Sequence, residues 1–386
     1  MTESEKENQD ESELITIIPP DKISLIANKK TPIPDNFPFD KIFNESTEID
    51  EIFSTSSQQI IYNILQGFNG AIMCYGQTGM GKTYTINELV SEAVDDLYDQ
   101  IEFAEDSNNL FKVEVGGFEI SKEQINDLID IINITLDLKE NEHKRIVVNH
   151  LTYFNVNDST ELNDIISKIL SKRNNESLSM KEYTSRSNCI IVINVYRYLR
   201  DKKQLKCGCL YLVDLEGSEK ISKNKIDGES HEEEKILNKS LNTLHQIIQA
   251  ISNIKHENVQ TNFIPFRESK LTQILYDCFV GNCYTSLILN ICQSNLYILE
   301  TRNTLLFGQK VKNLKTHPKA NIINRAENHP IVLEMLKYYE ENLNKRGLNN
   351  NKCKKLIKNY EKQINALKKK IQELLYQISQ YEKEIR

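Results

Sequence analysis

The segment from Gly76 to Thr83 constrains this chain more than any other. Its sequence, GQTGMGKT, fits the pattern G-x-x-x-x-G-K-[ST], and it lies between the strand-like run AIMCY and a helix-like run. In this context the pattern predicts a phosphate-binding P-loop, because its glycines let successive backbone N–H groups face phosphate oxygens at the start of a helix. We expect Lys82 to reach the β- and γ-phosphates of a nucleotide and the Thr83 hydroxyl to bind Mg²⁺.

Strand-like and helix-like segments alternate around this loop. Amphipathic patterns predict helices at 236–251 and 271–278. Apolar runs predict strands at 71–75, 111–118, 189–196, 209–213 and 286–292. Alternation of this kind predicts a largely parallel sheet flanked by helices. We therefore expect one α/β domain over residues 14–313.

Composition excludes several classes of protein. Of the 386 residues, 39% are hydrophobic and 27% are charged, so the chain can bury a sizeable core. The uncharged stretches 52–81 and 278–299 are rich in Asn, Gln, Ser, Thr and Gly, so no membrane span is expected. The N-terminus lacks a signal-peptide pattern, and the eight cysteines lack metal or disulfide spacing apart from a lone Cys207-Gly208-Cys209, which predicts reduced thiols.

Charge is distributed unevenly along the chain. The formal net charge of −7 argues against nucleic acid as a general partner. Residues 1–13 carry six acids and one lysine and are expected to be disordered. Residues 310–386 carry 18 Lys or Arg against eight Asp or Glu. A basic end beside an acidic body indicates either a polyanionic partner or a merely solvated helix.

Residues 357–385 show a heptad repeat. The apolar positions are Ile357, Ile364, Ile371, Ile378 and Ile385 at a, and Tyr360, Leu367, Leu374 and Tyr381 at d. The pattern is typical of a coiled coil, and Ile at a with Leu at d favours a parallel dimer. The alternative is a single helix packed on its own domain. The polar segment Asn344–Lys352 interrupts an earlier part of the same register, and Gly347 weakens a helix there.

A second strand-like run ends in an acid. The sequence LVDLEGSE places Gly217 three residues after Asp214, which follows an apolar strand. Such an acid can hold Mg²⁺ through water, and the glycine can offer its amide to a γ-phosphate. GTPases also have this pattern, and residues 224–227, NKID, match a guanine-reading motif. A GTPase switch is the less favoured alternative, because NKID begins only ten residues after Asp214, in a polar loop.

Taken together, these motifs make residues 14–326 resemble the motor domain of kinesins. Five blocks carry the resemblance in the family's order: GFNGAIMCYGQTGMGKTYT, LVDLEGSEKIS, ILNKSLNTLHQIIQAI, IPFRESKLTQILYDCFVGN and ETRNTLLFGQKVKNLK. The ungapped stretch from Glu219 to Leu241, with Phe307-Gly308-Gln309, is most similar to conventional, N-terminal-motor kinesins. The resemblance implies a P-loop NTPase motor fold with a central, mostly parallel sheet flanked by helices, followed by a C-terminal coiled-coil helix.

The resemblance also implies the parts of an ATPase site that binds ATP and Mg²⁺. The run 181–188, KEYTSRSN, is similar to the family's first switch. There Ser185 would help hold the metal and the attacking water, and Arg186 would pair with Glu219. The implied catalytic residues are Lys82, Ser185, Arg186, Asp214, Gly217 and Glu219. The implied metal ligands are Thr83, Ser185 and Asp214. The implied nucleotide contacts are Tyr75, Gly76, Gln77, Thr78, Gly79, Met80, Gly81, Lys82, Thr83 and Tyr84.

Several positions depart from the family's pattern. Lys181 and Asn188 stand where the first switch has an asparagine and a histidine, and Glu216 stands where the second switch has an alanine. The family's arginine motif beside the adenine is absent, so base contacts would rest on Tyr75 and Tyr84. These departures motivate an alternative function, a nucleotide-gated microtubule-binding protein with weak or no motility.

By the same resemblance the partner is the microtubule. Microtubules are acidic, so an acidic motor needs a local basic face. The implied microtubule-binding residues are Lys235, Lys239, Lys255, Arg267 and Lys270, with Lys144 and Arg145 as a weaker patch.

The remaining implications concern the C-terminal part and the whole chain. Residues 314–326 resemble the neck linker, in which Asn321 would latch the docked linker to the motor core. Residues 327–386 would form the neck and coiled-coil segment of a homodimer. We thus expect a microtubule-dependent, plus-end-directed motor ATPase in the cytoplasm, on the cytoskeleton.

Overall fold

In the computed structural model of this chain, the strand before the P-loop lies inside the central sheet. That strand, β4 (Asn69–Gly76), is buried along its whole length. Parallel strands flank it on both sides: β11 (Gln204–Asp214) and β12 (Tyr284–Asn290). A strand that is covered on both faces has an almost continuous apolar sequence, which is why AIMCY gave a clear signal.

The structure describes residues 15–19, 21–26, 35–130, 136–140, 145–176, 187–218, 239–252, 264–345 and 370. The chain divides into two units, Met1–Glu327 and Asn328–Arg386. The predicted acidic tail at 1–13 lies outside the described residues, as does the predicted coiled coil at 357–385 apart from Lys370.

Within the described ranges, eight strands form the central sheet. Besides β4, β11 and β12, they are β5 (Asn109–Ser121), β6 (Gln124–Asp127), β9 (Phe154–Val156), β10 (Asn188–Leu199) and β13 (Ile322–Asn324). Six strands follow the order β12-β4-β11-β10-β5-β6, while β9 pairs with β5 and β13 with β11. The two pairs that include β4 are parallel, and all the others are antiparallel. The sheet is therefore mixed rather than mostly parallel, because the short turns of the β5–β6 and β10–β11 hairpins impose antiparallel pairing.

In the described part of the chain, two smaller sheets lie outside the central one. β1 (Ile15–Ile18), β2 (Lys22–Leu25) and β3 (Asp35–Pro38) form an antiparallel three-stranded sheet. β7 (Leu138–Glu140) pairs with β8 (Ile146–Val148).

Helices cover both faces of the central sheet. One face carries α1 (Ile49–Ser56), α2 (Gln58–Leu65), α3 (Lys82–Ala104) and α4 (Ser159–Glu176). The other carries α5 (Lys239–Ser252), α6 (Lys270–Ile274), α7 (Tyr276–Val280) and α8 (Ile298–Lys312). Along β4 the side chains alternate between the two cores, since Ile72 and Cys74 face the first whereas Met73 and Tyr75 face the second. The predicted fold class, a P-loop sheet between two helical layers, is confirmed.

Of the two predicted helices, the first is observed from Lys239, and the second is broken at Leu275 into α6 and α7. In the second unit, α9 (Pro330–Lys345) begins with proline, which fits the first helical position because no intrahelical N–H is needed there.

Among the described residues, none of the helices has the length and apolar character needed to cross a bilayer.

Candidate functional site

Three glycines shape the loop between β4 and α3. Gly79 and Gly81 both have a φ of +84°, and Gly76 has a φ of +152°. A Cβ at Gly76 would lie 2.1 Å from the carbonyl oxygen of Asn290, whereas a Cβ at Gly79 would meet nothing within 4 Å. Backbone conformation and space thus both require glycine at Gly76, while conformation alone requires it at Gly79. The loop ends at Gly81, the N-cap of the 23-residue helix α3.

Lys82 and Thr83 begin α3 and turn into the site. The Lys82 side chain is largely buried, and its Nζ donates a hydrogen bond of 3.0 Å to the backbone oxygen of Gln77. The Thr83 Oγ1 donates to Asp214 Oδ2 at 2.7 Å. Asp214 is the last residue of β11. The parallel pairing of β4 and β11 therefore brings the two predicted motifs together at the carboxyl ends of these strands.

Arg173 is a site residue that the sequence did not reveal. Its Nη1 forms an ion pair of 2.6 Å with Asp214 Oδ2, and its Nη2 donates to the backbone oxygen of Ser187 at 3.2 Å. Both side chains of the ion pair are about 95% buried, at 4% and 5% exposure. Arg173 lies near the end of α4 in a polar stretch, SKRNNE, where it matches no motif. Nothing in that stretch distinguishes it from a solvated surface arginine.

Two buried thiols lie near these charges and stay neutral. Burial, with Asp214 adding to it, raises the pKa of the Cys74 thiol. Burial also raises the pKa of Cys189 to about 11, although Arg173 opposes the shift. The charged side chains that act on these two thiols are Lys82, Arg173, Asp214 and Glu119.

These residues fit a nucleoside triphosphate and a divalent cation. Asp214 Oδ1 is buried and has no hydrogen-bond partner among the described residues, while Oδ2 of the same carboxylate accepts from the Thr83 hydroxyl. A carboxylate and a hydroxyl are hard oxygen ligands of the kind that Mg²⁺ takes. The glycine loop at the start of a long helix, with Lys82 beside it, presents N–H groups and positive charge to phosphate oxygens.

Two predicted base contacts have different surroundings. Tyr84 is 69% exposed at the start of α3 and can contact a ligand. Tyr75 is only 1% exposed, its hydroxyl lies 2.6 Å from His245 Nε2, and its ring stacks on Phe307. The Tyr75 side chain is thus committed to the interior, so we remove it from the expected base contacts. Its backbone still leads directly into the loop.

The predicted switch residues are only partly described. Lys181, Ser185, Arg186 and Glu219 lie outside the described residues, and Gly217 is buried just beyond β11. Two positions that depart from the kinesin pattern contact each other, since the backbone N–H of Glu216 donates to Asn188 Oδ1 at 3.0 Å. Asn188 begins β10, so this bond ties the predicted first switch to the predicted second switch.

The structure places some of the predicted basic residues at the starts of α5 and α6. Lys239 is the first residue of α5 and is exposed, and Arg267 is exposed in a 3₁₀ turn at Phe266–Glu268. Lys270 is the first residue of α6, and its Nζ lies 3.1 Å from Asp137 Oδ1. We call Lys239, Arg267 and Lys270 the basic face. Lys144, Lys235 and Lys255 lie outside the described residues.

Arg145 does not belong to that face. Its side chain is 18% exposed and lies 3.6 Å from Asp277 Oδ2. It also donates to Asn69 Oδ1 and to the Tyr211 hydroxyl, each at 3.2 Å. Its charge is turned into the interior, so we do not retain Arg145 as a microtubule contact.

The segment predicted to be the neck linker is docked on the sheet. β13 pairs antiparallel with the start of β11, with Ile322 opposite Lys206. Just before β13, the Asn321 Nδ2 lies within 3.1 Å of three acceptors, which are Gly67 O, Asn69 Oδ1 and Cys207 O. The Asn321 backbone N–H donates to Gly67 O at 2.7 Å, and Cys207 N donates to Asn321 O at 2.9 Å.

Known proteins share this architecture. The sequence matches the family model for the kinesin motor domain over residues 1–314. It is 34% identical over 300 residues to the kinesin-1 heavy chain of Homo sapiens, covering 75% of this chain and 30% of that protein. It is also 34% identical over 298 residues to kinesin heavy chain isoform 5A of Homo sapiens, covering 75% of this chain and 28% of that protein. The matched part is thus less than a third of the length of these relatives.

A solved structure supports the same relationship. The structure of a fast kinesin superimposes with a TM-score of 0.76 at 30% sequence identity. The superposition covers 83% of this chain and 91% of that chain.

Proposed function

The chain belongs to the kinesin motor-domain family, and from this we propose that it is a microtubule-stimulated ATPase that moves along microtubules. One observation carries the proposal. β11 ends in Asp214, beside the P-loop, and at its start it pairs with β13 of the linker. One strand thus connects the nucleotide site at its end with the linker at its start, and a motor needs such a connection.

Nucleotide binding follows from the P-loop, and we infer ATP with Mg²⁺ as the ligand. The bound ligand supplies a phosphoryl group whose transfer to water releases free energy. The backbone N–H groups from Gln77 to Gly81 would hold the phosphates, with the Lys82 ammonium neutralising their charge. Thr83 and Asp214 would bind the metal. Arg173 would hold the Asp214 carboxylate in place through the 2.6 Å ion pair.

Hydrolysis requires residues that orient water and respond to the γ-phosphate. We propose Ser185 as a further metal and water contact, and Arg186 with Glu219 as the ion pair that closes the site. Gly217 would offer its amide to the γ-phosphate. These roles rest on the resemblance of the two switch sequences, and the bond between Glu216 and Asn188 supports a connection between the switches.

We propose that the basic face binds the microtubule, together with Lys235, Lys255 and Lys144. Support comes from the exposure of Lys239 and Arg267 on neighbouring elements. Movement of α5 would connect this face to Gly217 and, through the sheet, to the linker. By similarity to conventional kinesins we also propose plus-end movement, a homodimer through 357–385, and a place on microtubules in the cytoplasm.

ATPase assays with and without polymerised microtubules test the proposal. We expect strong stimulation of ATP turnover by microtubules and no turnover in the variant Lys82→Ala. If the chain binds ATP and microtubules but shows no stimulation, the motor proposal fails and a nucleotide-gated microtubule binder is favoured. A gliding assay on polarity-marked microtubules gives the direction.

Competition between nucleotides tests the remaining alternative. A GTPase switch based on the DxxG and NKID patterns would prefer GTP. The kinesin assignment predicts that unlabelled ATP displaces a labelled adenine nucleotide at least as well as GTP does.

A further inference from the structure

The turn between β5 and β6 has an unusual backbone. β5 ends at Ser121 and β6 begins at Gln124, so Lys122 and Glu123 form a two-residue turn. Their φ angles are +50° and +61°. Such turns favour Asn-Gly, because side chains disfavour the left-handed region. This chain has lysine at the first position and glutamate at the second, which points to a role for one of the two side chains.

Among the described residues, the Glu123 carboxylate accepts three hydrogen bonds from two other elements. Its Oε1 accepts from Ser240 Oγ at 2.8 Å and from Ser269 Oγ at 2.9 Å. Its Oε2 accepts from the backbone N–H of Lys270 at 2.8 Å. Ser240 and Ser269 are 5% and 1% exposed, so both hydroxyls are buried and depend on partners within the protein.

These bonds join the two ends that carry the basic face. Ser240 follows Lys239 at the start of α5, and Ser269 is the N-cap of α6, directly before Lys270. Arg267 lies two residues before that cap. One carboxylate therefore fixes the separation of the starts of α5 and α6.

We propose that Glu123 is a positioning residue for the microtubule-binding surface, which it holds in a binding-competent arrangement through Ser240, Ser269 and the Lys270 N–H. The inference rests on the proposed function. A microtubule is a rigid acidic partner, so cations that already have the right spacing lose less conformational freedom on binding.

Charge distinguishes this role from a simple electrostatic effect. Glu123 is an acid beside a basic face, so its removal should strengthen binding to an acidic filament if only Coulomb attraction mattered. A positioning role predicts the opposite sign. Glu268 provides a matched control, since it is an exposed acid beside Arg267 with no side-chain hydrogen bond among the described residues.

The test compares microtubule-stimulated ATPase of the full chain with that of Glu123→Asn, Ser240→Ala/Ser269→Ala and Glu268→Gln. Asparagine tolerates the left-handed region, so Glu123→Asn keeps the turn. The double serine variant keeps the Glu123 charge and removes two of its donors. Circular dichroism at the assay temperature checks that each variant is folded.

For Glu123→Asn and the serine variant, we expect the microtubule concentration for half-maximal activity to rise about tenfold, with less than about a twofold change in basal turnover. For Glu268→Gln we expect that concentration to stay the same or fall. If wild type is stimulated but the first two variants match it or bind more tightly, the inference is overturned. If wild type itself is not stimulated, the proposed function has failed. If Glu123→Asn does not fold, the serine variant alone decides.

Discussion

The Tyr75 hydroxyl lies 2.6 Å from His245 Nε2, and both rings stack on Phe307, with centroids 4.1 and 4.5 Å away. The three residues come from β4, α5 and α8, so the cluster joins the strand before the P-loop to the helix that carries Lys239. Burial, with repulsion from Lys310 adding to it, lowers the pKa of His245 to about 4. The imidazole is therefore neutral at physiological pH.

This histidine should make stability depend on pH. The unfolded chain binds a proton at His245 near pH 6.5, whereas the folded chain does so only near pH 4. Between these values the unfolded state holds more protons, so the stability that the neutral histidine contributes is complete above pH 6.5 and is lost as the pH falls towards 4. Urea unfolding of wild type and His245→Gln from pH 4.5 to 7 measures the effect. We expect their difference in unfolding free energy to change by up to about 1 kcal/mol per pH unit. A constant difference would contradict the assignment.

The Arg173–Asp214 pair should be costly to break on one side. Arg173→Met leaves the Asp214 carboxylate buried without its cation, which typically destabilises a protein by about 3–5 kcal/mol. Adding Asp214→Asn removes the stranded charge, so we expect the double variant to be more stable than Arg173→Met alone. Urea denaturation of wild type, Arg173→Met, Asp214→Asn and the double variant gives the coupling energy. Additive effects would mean that the two side chains act independently.

Much of the site was predictable because each half of it lies in a local motif. The P-loop and the Asp214 segment both combine a buried strand with residues at fixed offsets, and parallel pairing with β4 then brings them together. Arg173 and Glu123 were not predictable. Each acts across more than 40 residues of sequence, and neither carries a local pattern. The buried orientation of the Tyr75 side chain was not predictable either, because its position next to the loop is local information, whereas its partners His245 and Phe307 come from distant helices.

The fold shows the same limit. Apolar runs located the main strands, since burial on both faces leaves a mark in the sequence. Strand direction depends on connections, and the extent of antiparallel pairing was missed because hairpins such as β10–β11 carry no Asn-Gly signal. The turn Lys122-Glu123 is another such case, since its side chains are chosen for contacts outside the hairpin.

Glycines in the loop should differ in their tolerance of alanine. Gly76→Ala would place a Cβ 2.1 Å from the Asn290 backbone oxygen, which forces β4 and β12 apart at the loop. Gly79→Ala meets no atom within 4 Å and adds only backbone strain. Titration with a fluorescent adenine nucleotide should therefore show a much larger loss of affinity for Gly76→Ala. Equal losses would show that steric contact with Asn290 is unimportant.

Asn321 should control linker docking. Asn321→Ala removes a side-chain amide that lies within 3.1 Å of Gly67 O, Asn69 Oδ1 and Cys207 O, which should cost about 1–3 kcal/mol of docking free energy. A spin label at Ile322→Cys reports docking as loss of mobility. We expect a mobile label and slower gliding with basal ATPase retained. Asn324→Ala is the control, since it loses one exposed bond from Gln204, and its label should stay immobile.

Self-association is a separate prediction from the heptads at 357–385. Sedimentation of the full chain should give a dimer, and a chain truncated after residue 328 should give a monomer. A monomer in both experiments would refute the coiled coil.

The pairing of β13 with β11 has a mechanical consequence. The bonds between Ile322–Asn324 and Gln204–Lys206 are perpendicular to the strands. A load that pulls the linker along the strand axis therefore strains all of these bonds at once, whereas a load at right angles to the sheet opens them one after another. The docked linker should resist tension from one direction more than from another. For the proposed motor, a backward pull and a sideways pull of equal force would then differ in effect.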